Sequence, residues 1–119
     1  MLPVFSKLHF FLYRDPTDMR RGFDGLSGLV SSHLNQDALS GDVFVFINRR
    51  RNRIKLLVWD GDGFWLFYKR LEQGTFQLPT TTNSQLSIHL SYDDLLMIIQ
   101  GIDLTSVKRR LRYHHHSRH

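Results

Sequence analysis

Basic and aromatic side chains are interleaved in one stretch of this chain, residues 48–70, in a pattern that suits binding to a polyanion. The stretch reads NRRRNRIKLLVWDGDGFWLFYKR and holds seven of the sixteen Lys and Arg residues. Four of the seven lie within five positions, at Arg49, Arg50, Arg51 and Arg53. A Lys or Arg that neutralises a phosphate releases a condensed counterion, so several on one surface give affinity for nucleic acid without reading any base. The chemistry that this stretch favours is phosphate binding.

A charge cluster has a simpler interpretation as well, because charged side chains at a hairpin tip can serve only solubility or protect a sheet edge. Neighbouring arginines repel one another, however, and a bound anion would offset that repulsion. We therefore favour the phosphate-binding interpretation. The residues that we predict to contact DNA are Arg49, Arg50, Arg51, Arg53, Lys55, Arg20, Arg21, Lys69 and Arg70.

The aromatic residues of the same stretch offer a second possible contact with nucleic acid. Trp59, Trp65, Phe67 and Tyr68 could stack on unpaired bases, as aromatic rings do in proteins that bind single strands. Successive side chains of a strand face opposite sides of a sheet, so at least half of the rings in residues 64–68 must lie in the core. We expect most of them to be core residues.

Asp60 and Asp62 are the only close acidic pair that could hold a metal ion for phosphodiester chemistry. A two-metal site needs more oxygen ligands, and a third acid would have to come from Asp24 or Glu72. Alternating Asp and Gly at a hairpin apex is explained by turn chemistry alone, because Asp tolerates left-handed geometry and bonds its own backbone. We favour the turn and keep a metal-dependent nuclease as the least favoured alternative.

Other catalytic patterns are missing from the sequence. The chain has no cysteine, which excludes disulfides, thiolate zinc sites and a cysteine nucleophile. There is no G-x-S-x-G turn and no phosphate-cradling glycine-rich loop. His9, His33 and His89 are scattered, and residues 114–116 form a histidine run near the end. We predict no catalytic residue, no metal and no cofactor, and therefore a protein that is not an enzyme.

Length and charge set the broad class. A chain of 119 residues corresponds to one domain with one core. We place this domain at residues 1–107 and a disordered, basic, His-rich tail at residues 108–119. The net charge of +5 favours an acidic partner.

No segment approaches the roughly eighteen apolar residues of a membrane span, and the amino terminus is a poor signal peptide. We expect a cytoplasmic protein without a membrane partner.

The amino-terminal third of the chain predicts a strand followed by a helix. Residues 1–11 are taken as the first strand, with the strongest strand pattern at residues 8–13, and Asp15-Pro16 ends it. Apolar residues at helical spacing follow, but three glycines interrupt the pattern. We predict an irregular first turn and a regular helix over residues 23–34.

The rest of the chain predicts short strands and a second helix. The predicted strands are residues 43–47, buried on both faces, then 54–59 and 64–69, and residues 76–78 and 86–90 are expected to add one or two short strands. Ser91 and Asp94 resemble a capping box, and Gly101 is a natural helix terminator. The fold class is therefore α+β: a mainly antiparallel sheet with a central three-stranded meander and two helices packed on one face.

Several blocks of the sequence, in the same order and spacing, resemble one family. They are TDMRRGFDGL from Thr17, SG-VFVF from Ser40, RIKLL-WDGDG from Arg53, YKRLE-G-F from Tyr68, and GID from Gly101. Together they are similar to the TnpB accessory protein of the IS66 group of bacterial insertion sequences, which is unrelated to the RNA-guided nuclease of that name. The polar residues 80–87 and the histidine-rich end depart from the family pattern.

The resemblance implies a small protein that is encoded beside a larger transposase, is needed for transposition and has no established catalytic role. It implies that the larger partner carries the acidic metal-binding triad. DNA binding is inferred from charge alone. We predict a non-catalytic accessory factor that binds double-stranded DNA at the element ends, or the complex of that DNA with the transposase. The alternative is a module that docks on an acidic surface of the transposase without touching DNA. The oligomeric state stays open.

Overall fold

A computed structural model of the chain describes residues 4–80 and 84–101. A short 3-10 turn at Phe5–Lys7 comes first. The strands are β1 Phe10–Tyr13, β2 Val43–Ile47, β3 Arg53–Trp59, β4 Phe64–Arg70 and β5 Ser87–Leu90. The α-helices are α1 Phe23–Ser32, between β1 and β2, and α2 Tyr92–Gln100, after β5. Neither α-helix in this part of the chain has the length and hydropathy that crossing a membrane requires.

The five strands form one sheet in the order β4-β3-β2-β1-β5. The pairs β2 with β3, β3 with β4, and β1 with β5 are antiparallel, whereas β1 and β2 run parallel. The α+β class is confirmed, but the sheet is mixed and not purely antiparallel. The reason is the long connection through α1, which returns the chain to the starting edge and so allows parallel pairing, as in other crossover connections.

The two helices cover opposite faces of the sheet, so the prediction that both pack on one face is wrong. Leu26 and Val30 of α1 pack with Phe44 and Phe46 of β2 in one hydrophobic cluster. Leu95 and Ile98 of α2 belong to the other cluster, with the alternate β2 residues Val43, Val45 and Ile47. All five residues of β2 are buried, as predicted, and a strand buried on both faces needs a cover on each side.

Local signals located the element ends well. Ser91 and Asp94 form the predicted capping box of α2, and Gly101 ends that helix with a φ of 83°. The helix α1 begins at Phe23 as predicted and ends two residues early, at Ser32. Of the one or two further strands predicted at residues 76–78 and 86–90, the second forms as β5, whereas residues 76–78 are not a strand and Phe76 is a fully buried member of the core.

The amino terminus also differs from expectation, because strand structure begins only at Phe10 and Phe5–Lys7 forms a 3-10 turn. The predicted tail at residues 108–119, most of the threonine-rich turn at residues 80–83, and residues 1–3 lie outside the described residues.

Candidate functional site

The turn between β2 and β3 carries the arginine cluster, and Asn48 holds it together. The Asn48 Oδ1 accepts hydrogen bonds from the backbone N–H groups of Asn52 and Arg53, at 3.0 and 2.9 Å. Its Nδ2 donates to Asn52 Oδ1 at 2.7 Å. Arg51 adopts a left-handed conformation with a φ of 57°, and its N–H donates to the Asn48 carbonyl at 3.0 Å. These bonds define one turn conformation.

Two further backbone bonds tie this turn to the chain that follows β4. The N–H of Leu71 donates to the Asn52 carbonyl at 2.7 Å, and the N–H of Phe76 donates to the Arg51 carbonyl at 2.6 Å. Phe76 is completely buried and therefore acts as a fixed anchor. The arginines therefore project from an ordered backbone, which would lower the conformational entropy cost of binding any ligand.

A groove of about 450 Å³ lies between this turn and the segment that precedes α1. We call it the basic groove. It brings Arg20 next to Arg49, Arg50 and Arg53, which lie far from Arg20 in the sequence. The residues that line it are Thr17, Asp18, Met19, Arg20, Asn48, Arg49, Arg50, Asn52 and Arg53.

Thr17 contributes a buried hydroxyl to the basic groove. Its N–H donates to the carbonyl of Ile47 at 2.9 Å, which fixes the segment before α1 to the end of β2. The residue is only 4% exposed, and its Oγ1 has no hydrogen-bond partner in the part of the chain that the structure describes. Buried hydroxyls are usually satisfied, so this oxygen is an exception to the rule.

Asp18 introduces one negative charge into the basic groove. Its carboxylate accepts bonds from the Arg20 side chain, the shortest at 2.6 Å, and from the Arg20 backbone N–H at 2.9 Å. These bonds lower the pKa of Asp18 to about 2. Asp18 is therefore ionised at neutral pH, and it offsets the charge of Arg20 but of no other groove arginine.

Lys55 lies beneath the groove and is 6% exposed. Its ammonium donates to the backbone carbonyls of Met19 and Arg21, at 2.7 and 2.8 Å. It also lies 4.6 Å from the centre of the Tyr68 ring, a cation–π distance. Lys55 thus holds the segment before α1 against β3.

The structure does not bring all of the remaining predicted residues to the basic groove, because Arg51 and Lys69 lie toward the other side of the sheet. Arg70 lies directly opposite Arg53 in the β3–β4 ladder and forms an ion pair of 2.7 Å with Glu72. Arg21 is exposed beside Arg20. Arg51 lines a separate cavity of about 280 Å³ together with Arg14. Lys69 is exposed and donates to the carbonyl of Ile99, at the end of α2.

The arginines of the turn have no carboxylate partner among the described residues. In residues 4–80 and 84–101, none of Arg49, Arg50, Arg51 and Arg53 forms an ion pair with a carboxylate. Arg53 donates to the Tyr68 hydroxyl at 3.0 Å, a bond that orients the guanidinium and leaves its charge in place. The positive charge of the turn is therefore available to a partner.

Asp60, one of the acidic pair at the β3–β4 turn, is held by hydrogen bonds within the hairpin. The Trp65 Nε1–H donates to Asp60 Oδ2 at 2.6 Å, and this bond lowers the pKa of Asp60. The Asp60 N–H donates to the Gly63 carbonyl at 3.1 Å, and Gly61 has a φ of 107°. No group of three or more potential metal ligands occurs among the residues that the structure describes. The geometry matches the turn interpretation.

Most rings of the hairpin are partly buried and pack against the core, on alternating sides of the sheet. Trp65 and Phe67 pack on the α2 side, and Phe64 packs on the α1 side. Tyr68 is 49% exposed, but one face of its ring is occupied by Lys55. The described rings do not form an open stacking platform.

Sequence reasoning missed several residues around the arginines. Thr17 carries no sequence signal for a buried unpaired hydroxyl. The pair Asn48 and Asn52, which flanks the cluster, does carry one, because Asn is a typical turn residue that bonds nearby backbone groups.

The fold and the groove define a small α+β protein with a cationic surface. Comparison with known proteins gives the family: the chain belongs to the IS66 Orf2-like proteins, whose family model matches residues 8–109. This confirms the resemblance found in the sequence. The chain is therefore an insertion-sequence-associated protein, and its family is connected with transposition.

Two curated relatives come from Sinorhizobium fredii (strain NBRC 101917 / NGR234). The uncharacterized protein y4jC is 39% identical over 103 residues, which cover 87% of this chain and 86% of the relative. The uncharacterized protein y4hO is 35% identical over 103 residues, covering 87% of this chain and 88% of the relative. No solved structure matches the chain.

Proposed function

We propose that this chain is a non-catalytic accessory protein for transposition of its insertion sequence, and that it binds DNA through the basic groove. The proposed ligand is double-stranded DNA at the element ends, alone or in complex with the transposase, and the proposed site of action is the cytoplasm. The observation that carries the proposal is the convergence of Arg20, Arg49, Arg50 and Arg53 on one groove. Of these four, only Arg20 has a carboxylate partner in the described chain.

Phosphate contacts account for the proposed binding. Arg49 and Arg50 are exposed, and Arg53 is held in place by Tyr68. Arg21 and Arg70 would reach outlying phosphates beside this centre, whereas Lys55 supports the groove from below. Arg51 and Lys69 lie toward the α2 side of the sheet and are the outermost of the proposed contacts. Phosphate contacts fix the position of a protein on the duplex but carry no sequence information. Selection of the element ends would then depend on the transposase.

Salt dependence of DNA binding by the isolated protein tests the proposal. If about six phosphates are contacted, the logarithm of the affinity falls with the logarithm of salt concentration at a slope of about −5. The double variant Arg49→Gln with Arg50→Gln should bind duplex DNA at least tenfold more weakly at low salt, with a slope shallower by about 2. Fluorescence anisotropy over a salt series measures both quantities.

The control for this experiment is Lys7→Gln with Arg14→Gln, which removes the same charge away from the basic groove. It should reduce affinity much less than the groove variant does. Unfolding in urea checks that both variants keep the fold. Equal losses of affinity in the two double variants would show that only net charge matters and would contradict the groove assignment.

The size of the basic groove favours one alternative, in which an acidic side chain of the transposase occupies it. A groove of about 450 Å³ has room for an acidic side chain as well as for one phosphate group of a duplex. Under this alternative the isolated protein does not retain DNA at low salt, while the Arg49 and Arg50 variant loses binding to the transposase. DNA binding by the isolated protein therefore distinguishes the two proposed functions.

A further inference from the structure

Two histidines that are distant in the sequence meet where β1 pairs with β5, the strand at the end of the sheet opposite to β4. His9 lies immediately before β1, and His89 lies in β5, 80 residues later. The two strands are antiparallel with Phe11 opposite His89, so His9 and His89 are diagonal neighbours on the same face of the sheet. No short motif joins the two histidines, and spacing along the sequence therefore predicts no metal site here.

The imidazole nitrogens of this pair are close enough to share one metal ion. His9 Nδ1 lies 3.4 Å from His89 Nε2, and the ring centroids are 5.6 Å apart. Zn–N bonds are about 2.0–2.1 Å long, so two nitrogens of a tetrahedral zinc site are separated by about 3.3–3.4 Å. The distance between the two histidine nitrogens matches this separation. Square-planar Cu²⁺ or Ni²⁺ places neighbouring ligands at right angles and would need the nitrogens closer together.

Neighbouring groups already hold both histidines in place. The His89 ring packs against the Phe11 ring with centroids 5.1 Å apart, and Phe11 stacks on Phe44 of β2 with centroids 6.0 Å apart. The His9 carbonyl accepts a hydrogen bond from the Val43 N–H at 2.8 Å, which fixes the backbone of His9. Ordering of this kind lowers the entropy cost of binding an ion. Both histidines are exposed, so an ion can reach their nitrogens from solvent.

We propose that His9 and His89 chelate one divalent transition-metal ion, and that this ion is Zn²⁺. Imidazole is a good ligand for such ions, whereas Mg²⁺ and Ca²⁺ take oxygen ligands. Among the residues that the structure describes, no third His, Cys, Asp or Glu joins the pair, so water completes the coordination. The bound ion links β5 to β1 and stabilises this end of the sheet. The site shares no residue with the basic groove and does not depend on the function proposed for that groove.

Calorimetric titration with Zn²⁺ tests the site. Histidines near the end of the chain can also bind metal, so the parent protein is the full-length chain with Gln at His114, His115, His116 and His119. This parent should bind one Zn²⁺ per chain. His9→Gln and His89→Gln should each weaken Zn²⁺ binding at least about tenfold, because even the loss of a group that only orients a ligand commonly costs this much affinity. A parent that binds no Zn²⁺ would overturn the proposal.

His33→Gln in the same parent is the matched control. His33 is also an exposed histidine, but it contacts Ser32 and the Tyr13 ring. Its replacement should leave the affinity for Zn²⁺ unchanged. Equal losses of affinity in His33→Gln and His89→Gln would show that scattered imidazoles bind the ion, and the pair would then have no special role.

Urea unfolding gives a second measurement, which reports on the link between β1 and β5. An ion that binds the folded chain raises the unfolding midpoint by mass action. Zn²⁺ should therefore raise the midpoint of the parent and raise that of His89→Gln much less, while Mg²⁺ should raise neither. The same Zn²⁺-induced rise in the parent and in His89→Gln would contradict chelation by the pair.

Discussion

Lys55 illustrates how a single residue can be basic and yet have a structural task. In the sequence it belongs to the cationic stretch, but strand alternation directs it into the space beneath the segment before α1. Its ammonium replaces the water that the carbonyls of Met19 and Arg21 would otherwise bind. A buried charge requires such partners, and the carbonyls require such a donor. The residue fixes one wall of the basic groove.

Replacing Lys55 by Met should therefore destabilise the fold. The variant keeps most of the side-chain volume but leaves two carbonyls without their donor, which costs about 2 kcal/mol in the free energy of unfolding. Urea denaturation measures the change. The exposed Lys7 provides the control, since Lys7→Met should change stability by less than about 0.5 kcal/mol. If Lys55→Met and the unmodified chain are equally stable, the hydrogen bonds of the ammonium make no net contribution to the free energy of unfolding.

Asp18 is the residue whose removal should strengthen binding. Asp18→Asn deletes the one carboxylate of the basic groove and frees the charge of Arg20. The affinity for duplex DNA at low salt should rise severalfold, and the salt slope should steepen by about 1.

The pH dependence of this effect follows from the lowered pKa of Asp18. A carboxyl with a folded pKa of about 2 stays ionised well below its ordinary value. The affinity difference between Asp18→Asn and the unmodified chain should therefore stay constant from pH 8 down to pH 4. The stabilisation from the Asp18–Arg20 pair is likewise present above the ordinary pKa and is lost as pH falls toward 2. A difference that disappears near pH 5 would contradict this assignment.

At the scale of elements, the turn between β2 and β3 depends on one amide side chain. Asn48 satisfies two backbone N–H groups and one side-chain oxygen of the turn. Without these bonds the like charges of Arg49, Arg50 and Arg51 would favour a range of open conformations. The basic groove thus requires Asn48 although its side chain carries no charge.

Substitution of Asn48 tests this role. Asn48→Ala should lower the free energy of unfolding by about 1–3 kcal/mol and weaken DNA binding, since all three bonds are lost. Asn48→Asp keeps an oxygen acceptor for the two backbone N–H groups and loses only the donation to Asn52, so its stability should lie between those of Asn48→Ala and the unmodified chain. Urea unfolding and anisotropy measure the two effects, and identical behaviour of the two variants would contradict the proposed role of the Oδ1 acceptor.

How far the sequence predicts an element depends on how local its determinants are. Ser91, Asp94 and Gly101 fix the two ends of α2 through bonds within one helical turn, and these ends were predicted correctly. The parallel pairing of β1 with β2 depends on the path of the whole intervening chain, and no short pattern encodes it. The basic groove is likewise not encoded by a short pattern, because only the complete fold brings Arg20 close to Arg49.

At the scale of the whole molecule, the placement of the helices explains why their side was mispredicted. The apolar positions of α1 and α2 show that each needs a sheet face but not which face. The sequence of β2 indicates the arrangement, because a strand that is apolar at every position must be covered on both faces. Combining that strand with two amphipathic helices would have placed one helix on each side.

The anchoring of the arginine turn by Leu71 and Phe76 has a kinetic consequence. The cationic surface is assembled from segments well separated along the polypeptide, so its formation has to wait for long-range loop closure. A nascent chain released before Phe76 would have the arginines without their scaffold. A chain that has not completed most of the sheet would then lack the arranged charge of the proposed site.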